Sequence, residues 1–222
     1  MAINFEILET RANIIDDNDK IAAQVREYVH DNNVYFINLM GCPGAGKTSF
    51  LTHLIRGLKD EYRIGVIEAD ADGDVDARTI SALGVKALQV HTGGSCHMDA
   101  TMTWAGLRKL DLSDLDLVIL ENVGNLVCPA EFDVGADLKV TILSVTEGDD
   151  KPLKYPLMFT ICDVLFINKI DAMEVFDFDL ERLRRNVEPL NDHLEIIPFS
   201  CKSAEGISEA VECIRQKVEA AK

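Results

Sequence analysis

One short segment has the residue types and the spacing that a phosphate-binding loop requires. Gly41-Cys42-Pro43-Gly44-Ala45-Gly46-Lys47-Thr48, followed by Ser49, fits the pattern G-x-x-x-x-G-K-[ST] at every fixed position. Glycines at these places let successive backbone N–H groups face inward and surround an anion. Lys47 can reach the β- and γ-phosphates, and the Thr48 hydroxyl can bind Mg²⁺. The segment therefore predicts a nucleotide-binding site in which Lys47 is also catalytic.

Two segments further along the chain indicate which base is bound. Asn168-Lys169-Ile170-Asp171 follows an apolar stretch and resembles the N-K-x-D motif of GTPases, whose Asp accepts hydrogen bonds from guanine. Adenine lacks that pair of donors and would leave a buried carboxylate at Asp171 unpaired. Ser200-Cys201-Lys202 resembles the S-A-K element of the same proteins, with Cys201 where alanine is usual. Together these residues favour GTP over ATP.

Two acidic segments are candidates for binding Mg²⁺ and orienting the attacking water. Glu121-Asn122-Val123-Gly124 closes an apolar stretch and resembles the D-x-x-G element of GTPases, with Glu in place of Asp. Asp70-Ala71-Asp72-Gly73-Asp74-Val75-Asp76 follows another such stretch. Phosphoryl transfer needs mainly positioning and neutralisation of charge. We therefore predict three catalytic carboxylates that, with the Thr48 hydroxyl, also bind magnesium: Asp70, Asp76 and Glu121.

The acidic run from Asp70 to Asp76 also allows simpler interpretations. It can be an exposed loop in which Asp74 or Asp76 caps the following helix. It also begins like a calcium loop, but Ser81 stands at the twelfth position, where a bidentate glutamate is needed. We therefore favour a switch segment over a calcium loop. An exposed loop with a helix cap at Asp74 or Asp76 remains an alternative for each aspartate.

An adjacent cysteine and histidine, with one distant cysteine, form a second candidate site. Cys96 precedes His97, and Cys128 lies just beyond the Glu121 segment. Thiolate and imidazole ligands select zinc or nickel over magnesium. Three ligands leave the set incomplete, so either water completes it or a second copy of the chain shares it across a two-fold axis. From these residues alone, buried thiols beside a surface histidine are the simpler interpretation.

The elements that position these residues follow from the hydrophobic pattern. Stretches that are apolar nearly throughout are typical of parallel strands covered on both faces, and they predict strands at 34–40, 63–69, 116–121, 138–145, 164–168 and 195–199. Amphipathic stretches predict helices at 47–59, 76–83, 98–110, 153–161, 180–190 and 203–221, with an additional N-terminal helix at 18–30. This alternation predicts one doubly wound α/β domain with a mostly parallel sheet over 18–222, after an N-terminal extension at 1–17.

Composition and charge exclude several classes of protein. A net charge of −16 argues against binding nucleic acid or an anionic membrane, because both need a basic surface. No apolar run reaches the roughly 20 residues of a membrane span, and residues 1–20 lack an apolar signal core, so we expect a cytoplasmic protein. There the six cysteines are thiols or metal ligands rather than disulfides. Cys162 and Cys213 have apolar neighbours on helical segments and are expected in the core.

Three longer segments resemble the HypB family of hydrogenase nickel incorporation proteins. They are Ser95-Cys96-His97-Met98-Asp99-Ala100, Glu121-Asn122-Val123-Gly124-Asn125-Leu126-Val127-Cys128-Pro129 and Ser144-Val145-Thr146-Glu147-Gly148-Asp149-Asp150-Lys151-Pro152. The resemblance extends from about Asn18 onward. It implies a GTPase whose dimerisation depends on GTP or metal, and which works with a HypA-type nickel metallochaperone and indirectly with the hydrogenase large subunit precursor. It also implies nickel or zinc ligands at Cys96, His97 and Cys128.

The N-terminus departs from some members of that family. Residues 1–19 contain neither cysteine nor histidine, so the N-terminal nickel capture found in some members is not expected, and the internal site remains. We hypothesise that GTP state gates dimerisation and metal transfer through the segment from Glu121 to Cys128. One alternative is a urease-type nickel GTPase, which is disfavoured because its metal motif is Cys-Pro-His. The others are a nucleotide-switched scaffold with incidental metal binding and an ATP-dependent kinase.

Overall fold

Strands and helices alternate along most of the chain, as the hydrophobic pattern predicts. A computed structural model describes residues 10–70, 73 and 75–221. The strands are β1 (Tyr35–Gly41), β2 (Ile64–Asp70), β3 (Lys86–His91), β4 (Leu117–Glu121), β5 (Leu138–Ser144), β6 (Val164–Asn168) and β7 (Glu195–Pro198). The helices are α1 (Thr10–Asp31), α2 (Lys47–Leu58), α3 (Val75–Ser81), α4 (Ala100–Leu110), α5 (Cys128–Glu131), α6 (Lys151–Lys154), α7 (Pro156–Ile161), α8 (Leu180–Val187) and α9 (Ile207–Ala220).

The strands of the described residues form one sheet in the order β3-β2-β4-β1-β5-β6-β7. Each neighbouring pair in it is parallel, so the predicted doubly wound α/β fold is confirmed and the sheet is parallel throughout these residues. β1 lies centrally between β4 and β5. Because the carboxyl ends of parallel strands share one edge, the loops that follow β1, β2, β4, β6 and β7 meet there. That edge carries the predicted nucleotide residues.

Both faces of the sheet are covered, which explains why the strands are apolar nearly throughout. Ile37 of β1 packs in a core that includes Phe50 of α2 and Ile214 of α9. Its neighbour Phe36 packs on the other face, in a core that includes Val25 of α1 and residues of α4. Successive side chains of a strand point to opposite faces, so each central strand contributes to two cores.

Among the differences between the predicted elements and the structure, four concern a strand, a divided helix and two helix starts. The strand β3 was not predicted, because Lys86, Gln89 and His91 interrupt its apolar pattern at an edge of the sheet. The predicted helix at 153–161 is split into α6 and α7 at Tyr155, the residue before Pro156, since proline disfavours helical backbone there. The other two differences are at helix starts: α1 begins at Thr10 rather than at 18, and α9 begins after Gly206, which has φ 71°.

The two cysteines expected in the core are buried, as predicted. Cys162 follows α7 and Cys213 lies within α9. Of the helices in the described part of the chain, none is long and apolar enough to cross a membrane. The predictions made for residues 1–9, Asp72 and Asp74 lie outside the described residues.

Candidate nucleotide and metal sites

The phosphate loop joins the end of β1 to the start of α2. Gly46 is the N-cap of α2 and has φ 100°, a left-handed conformation that favours glycine. A Cβ atom at Gly46 would lie 2.2 Å from Nδ2 of Asn168, so a side chain has no room there. Glycine at this position therefore lets the loop turn into the helix while Asn168 packs against it.

Lys47 lies over the loop that it follows. Its side chain is buried, and Nζ lies 3.3 Å from the Cys42 carbonyl oxygen. The carbonyl oxygen of Gly41 is 3.5 Å away, at the limit of a hydrogen bond. The positive end of the α2 helix dipole points at the same region. The ammonium group and the helix N-terminus together make this loop suited to an anion.

A buried pair of glutamates lies beside Thr48. The Thr48 hydroxyl donates a hydrogen bond of 2.9 Å to Oε1 of Glu121, which is only 6% exposed. Glu68 of β2 is 3% exposed and lines the same cavity. Oε1 of Glu68 and Oε2 of Glu121 have no hydrogen-bond partner among the described residues. A threonine hydroxyl and unpartnered carboxylate oxygens are the oxygen ligands that a hard divalent cation takes, so the site fits Mg²⁺.

Glu68 was not among the residues predicted from the sequence. Burial raises its pKa strongly, and the neighbouring charge of Glu121 raises it further. Burial also raises the pKa of Glu121, although Lys47 and the Thr48 hydroxyl oppose the rise. A carboxylate inside an apolar strand is costly unless something compensates its charge. Glu68 could have been found from the sequence on this ground, because it interrupts the apolar run of β2.

The two predicted switch aspartates line the same cavity as the buried glutamates. Asp70 ends β2, and its Oδ1 accepts a hydrogen bond of 2.9 Å from the Gly73 backbone N–H. Asp76 lies in the first turn of α3. Both residues line the cavity that contains Lys47 and Thr48. The fold therefore brings together the four residues predicted to bind magnesium: Thr48, Asp70, Asp76 and Glu121.

Asn168 connects the loops that form the predicted base site. Its Nδ2 donates to the Ala45 carbonyl at 2.9 Å, and its Oδ1 accepts from the Cys201 N–H at 3.2 Å. The neighbouring Lys169 donates from Nζ to the Gly44 carbonyl at 2.7 Å. These bonds join the loops after β1, β6 and β7, so the phosphate and base regions are held as one unit.

Asp171 is oriented by the segment that follows β7. The Ser200 hydroxyl donates to its Oδ1 at 2.6 Å, and this bond lowers the pKa of Asp171. Lys202 lies 3.7 Å from Oδ2. The Asp171 side chain is 23% exposed, so it is more accessible than the sequence argument assumed. The carboxylate is charged and lines the cavity, where a base with two donors can reach it.

One cavity of about 1190 Å³ contains most of the predicted nucleotide residues. Its lining includes Pro43, Gly44, Gly46, Lys47, Thr48, Ser49, Asn168, Lys169, Asp171, Cys201 and Lys202. The remaining predicted residues do not line it: Gly41, Cys42, Ala45 and Ser200. Of these four, Ser200 acts on the cavity through its hydrogen bond to Asp171.

The predicted soft-metal residues also come together. Potential ligand atoms of Cys96, His97 and Cys128 lie within 4.8 Å of one another, and the two sulfurs are 3.0 Å apart. All six cysteines are free, and Cys96 is exposed. The pKa of the Cys128 thiol is raised first by its hydrogen bond with Cys96 and by burial, and further by the repulsion between two thiolates this close. A divalent cation would remove that repulsion and favour loss of the protons.

His97 is held by neighbours on two sides. The Phe132 ring stacks on the imidazole with centroids 4.2 Å apart. The Ser95 hydroxyl donates to the His97 carbonyl at 3.0 Å and lies 3.3 Å from Nδ1. Burial lowers the pKa of His97, which favours the neutral form that binds metals. Sequence reasoning missed Phe132, since its role depends on a contact made only in the fold.

Comparisons with known proteins agree with this geometry. Residues 35–198 match the family described as CobW/HypB/UreG, nucleotide-binding domain. The hydrogenase maturation factor HypB of Azotobacter vinelandii is 44% identical over 203 residues, which cover 91% of this chain and 67% of that protein. The hydrogenase/urease maturation factor HypB of Helicobacter hepaticus is 39% identical over 219 residues, covering 97% and 90%. The crystal structure of HypB from Helicobacter pylori in complex with nickel has a TM-score of 0.87 and 35% identity, covering 92% of this chain and 96% of that one.

The fold and the phosphate loop define a P-loop protein with a nucleotide-binding domain. Within that class, the chain belongs to the HypB family of hydrogenase maturation factors. The family resemblance predicted from the three motif segments is therefore confirmed.

Proposed function

We propose that this chain is a GTPase that supports nickel insertion into [NiFe]-hydrogenase, with the nucleotide state controlling the metal site. One observation carries the proposal: the ligand atoms of Cys96, His97 and Cys128 converge within 4.8 Å, and Cys128 follows the segment that begins at Glu121 in the nucleotide cavity. A phosphate-binding cavity and a thiol-rich cluster at opposite ends of one short segment suit a switch that acts on a metal.

The nucleotide cavity supplies the groups that hydrolysis requires. Lys47 neutralises charge on the β- and γ-phosphates, and Thr48 with the nearby carboxylates would hold Mg²⁺, which neutralises charge on the same oxygens. Asp70 or Asp76 orients the attacking water. Asp171 accepts hydrogen bonds from guanine, and Lys202 and Ser200 keep its carboxylate in place. Because adenine lacks guanine's N1–H and exocyclic amine donors and would leave this carboxylate unpaired, GTP is the expected nucleotide.

The metal cluster would carry nickel or zinc as cargo. Both ions accept two thiolates and an imidazole, and water or a second copy of the chain completes the set. We further propose a homodimer that depends on GTP or metal, a HypA-type metallochaperone as direct partner, and the hydrogenase large subunit precursor as indirect recipient. A cytoplasmic location suits the exposed Cys96 thiol, which a reducing compartment would keep free.

A second candidate recipient is urease. The relative from Helicobacter hepaticus is named for maturation of both hydrogenase and urease. The nickel cargo and its nucleotide control would be the same in both cases. Delivery assays with each apoenzyme would distinguish them, because only the true recipient gains activity in a GTP-dependent manner.

Equilibrium dialysis tests the proposed function directly. The chain is dialysed against Ni²⁺ or Zn²⁺ at one pH, with GDP or with a non-hydrolysable GTP analogue, and its mass in solution is measured in each state. We expect the metal dissociation constant to differ between the two nucleotides. Equal constants would contradict nucleotide control of the metal. Tighter binding of ATP than of GTP in competition would contradict the GTPase assignment.

A further inference from the structure

The segment at 122–127, which we name the linking segment, joins the two candidate sites. It follows Glu121 at the end of β4 and precedes Cys128 at the start of α5. Its residues Asn122, Val123 and Gly124 line the nucleotide cavity. The nucleotide and the metal would therefore act on opposite ends of the same few residues.

The linking segment packs tightly against the phosphate loop. The Asn125 backbone N–H donates to the Gly41 carbonyl at 3.0 Å, in an isolated antiparallel bridge. A Cβ atom at Gly124 would lie 2.8 Å from the backbone nitrogen of Pro43, so the two backbones are in close approach. A displacement of the phosphate loop would therefore move the linking segment with it, because there is no free space between them.

The Asn125 side chain contacts both halves of the metal cluster. Its Nδ2 donates to the Cys96 carbonyl at 3.3 Å. Its Oδ1 accepts a hydrogen bond of 2.9 Å from the Val127 N–H, next to Cys128. The same residue thus holds the backbone that carries the first cysteine and the turn that presents the second.

The nearby Asn122 shows a different arrangement. It is fully buried, and its Oδ1 accepts from the Met98 N–H at 3.0 Å while its Nδ2 donates to Asn38 at 3.1 Å. Asn122 therefore anchors the His97 loop to the inside of the sheet. Asn125 is only partly buried and touches both the phosphate loop and the cysteines.

We propose that Asn125 is the positioning residue that couples the two sites: its backbone follows the phosphate loop, and its amide sets the separation of Cys96 and Cys128. This inference rests on the proposed function and names the residue through which nucleotide control acts. Truncation of the amide leaves the backbone hydrogen bond to Gly41 intact. It removes the bonds to the Cys96 carbonyl and to the Val127 N–H that hold the two cysteines. The metal site should then no longer respond to the nucleotide.

The test compares the ratio of metal dissociation constants in two nucleotide states. Ni²⁺ and Zn²⁺ are titrated into the full chain with GDP and with a non-hydrolysable GTP analogue, for the wild type, Asn125→Ala and Asn125→Asp. Absorption of bound Co²⁺ reports the thiolate geometry in each state. Asn32→Ala is the matched control, because that partly buried amide donates to the Tyr28 carbonyl on α1.

We expect a wild-type ratio of about 5-fold or more, the lower end of typical allosteric coupling. In Asn125→Ala the ratio should fall to within about twofold of one, while nucleotide affinity stays close to wild type and the Co²⁺ spectrum no longer changes with nucleotide. Asn125→Asp keeps the acceptor for Val127 but loses the donor to Cys96. Its negative charge changes metal affinity in both states, so the ratio remains the readout if the alanine variant folds poorly.

The outcomes separate this inference from the proposed function. A wild-type ratio that persists in Asn125→Ala, or in Asn125→Asp where the first variant is unfolded, overturns the role of Asn125 and leaves nucleotide control standing. A wild-type ratio of one overturns nucleotide control itself, and the inference with it. If the ratio of metal dissociation constants also fell to one in the Asn32→Ala control, the specific role of Asn125 would be overturned.

Discussion

The nucleotide cavity and the metal cluster differ in how firmly their side chains are held. In the cavity, Thr48 bonds to Glu121, and Ser200 bonds to Asp171, so the groups proposed to bind the metal and the base are fixed from several strands. In the cluster, Cys96 is exposed, and its nearest ligand atom is the other thiol. A rigid cavity suits catalysis, which depends on preorganised charge. An exposed cluster suits a metal that has to arrive and leave.

Replacement of Lys47 tests the rigid side of this comparison and should have the largest effect. Lys47→Ala removes the cation that lies over the loop, so GTP turnover should fall about 10²–10³-fold, the usual loss when one preorganised charge is removed. Phosphate release under single-turnover conditions measures the effect. Lys59→Ala is the control, since Lys59 lies at the other end of α2. A fall of less than tenfold in Lys47→Ala would contradict the assigned role.

Replacement of the cysteines tests the metal cluster, which is the exposed side of this comparison. Cys96→Ser and Cys128→Ser should each weaken Ni²⁺ and Zn²⁺ binding by about 100-fold or more, because even outer partners of a metal ligand contribute 10–100-fold. GTP affinity should stay unchanged. Metal competition with a chromogenic chelator gives the dissociation constants, and Cys213→Ala, in the core near the C-terminus, is the control. Unaltered metal binding in both serine variants would contradict their assignment as ligands, whereas a scaffold would keep its partners and biological activity in both variants.

The cavity was largely predictable from the sequence because its motifs are local. Each of the phosphate loop, Asn168 to Asp171 and Ser200 to Lys202 is contiguous and follows a strand, so the topology alone brings them to one edge. The strands themselves were predictable where both faces are covered. The edge strand β3 was not, because it is covered less and tolerates polar residues such as Lys86.

The features that sequence reasoning missed depend on distant contacts. Glu68 lies beside Glu121, Phe132 stacks on His97, and Asn125 reaches Cys96, each across more than 25 positions of the chain. No local pattern marks such partners. Glu68 had the clearest signal, a charge within an apolar strand, whereas phenylalanine and asparagine residues in loops have many ordinary uses.

Glu68→Gln sharpens the comparison by testing whether a buried carboxylate in the nucleotide cavity destabilises the folded chain. Since burial raises the pKa of Glu68, the folded chain keeps a proton that the unfolded chain loses above the ordinary carboxyl pKa. Glu68 therefore costs stability increasingly as the pH rises. The neutral amide should raise the melting temperature by about 2–4 °C at pH 8, without Mg²⁺ or nucleotide, and by less at pH 5.

The same variant should lose activity while it gains stability. GTP turnover with Mg²⁺ should fall about 10–100-fold, the usual effect of removing a partner close to a bound metal. Glu209→Gln, an exposed carboxylate in α9, should change neither quantity. Equal shifts in melting temperature at both pH values would show that the buried charge of Glu68 is not the cause.

Phe132→Leu should have the smallest effect, and it separates holding a ligand from coupling two sites. An aromatic pair contributes about 0.5–1.5 kcal/mol beyond its buried area, so loss of the ring on His97 should weaken Ni²⁺ binding about 2–12-fold. Phe132 has no hydrogen bond to the phosphate loop among the described contacts, so the loss should be equal with GDP and with the GTP analogue. Chelator competition in both states measures it, with the exposed Phe176→Leu as control. If the ratio between nucleotide states also collapsed in Phe132→Leu, coupling would reside in the whole metal shell rather than in Asn125.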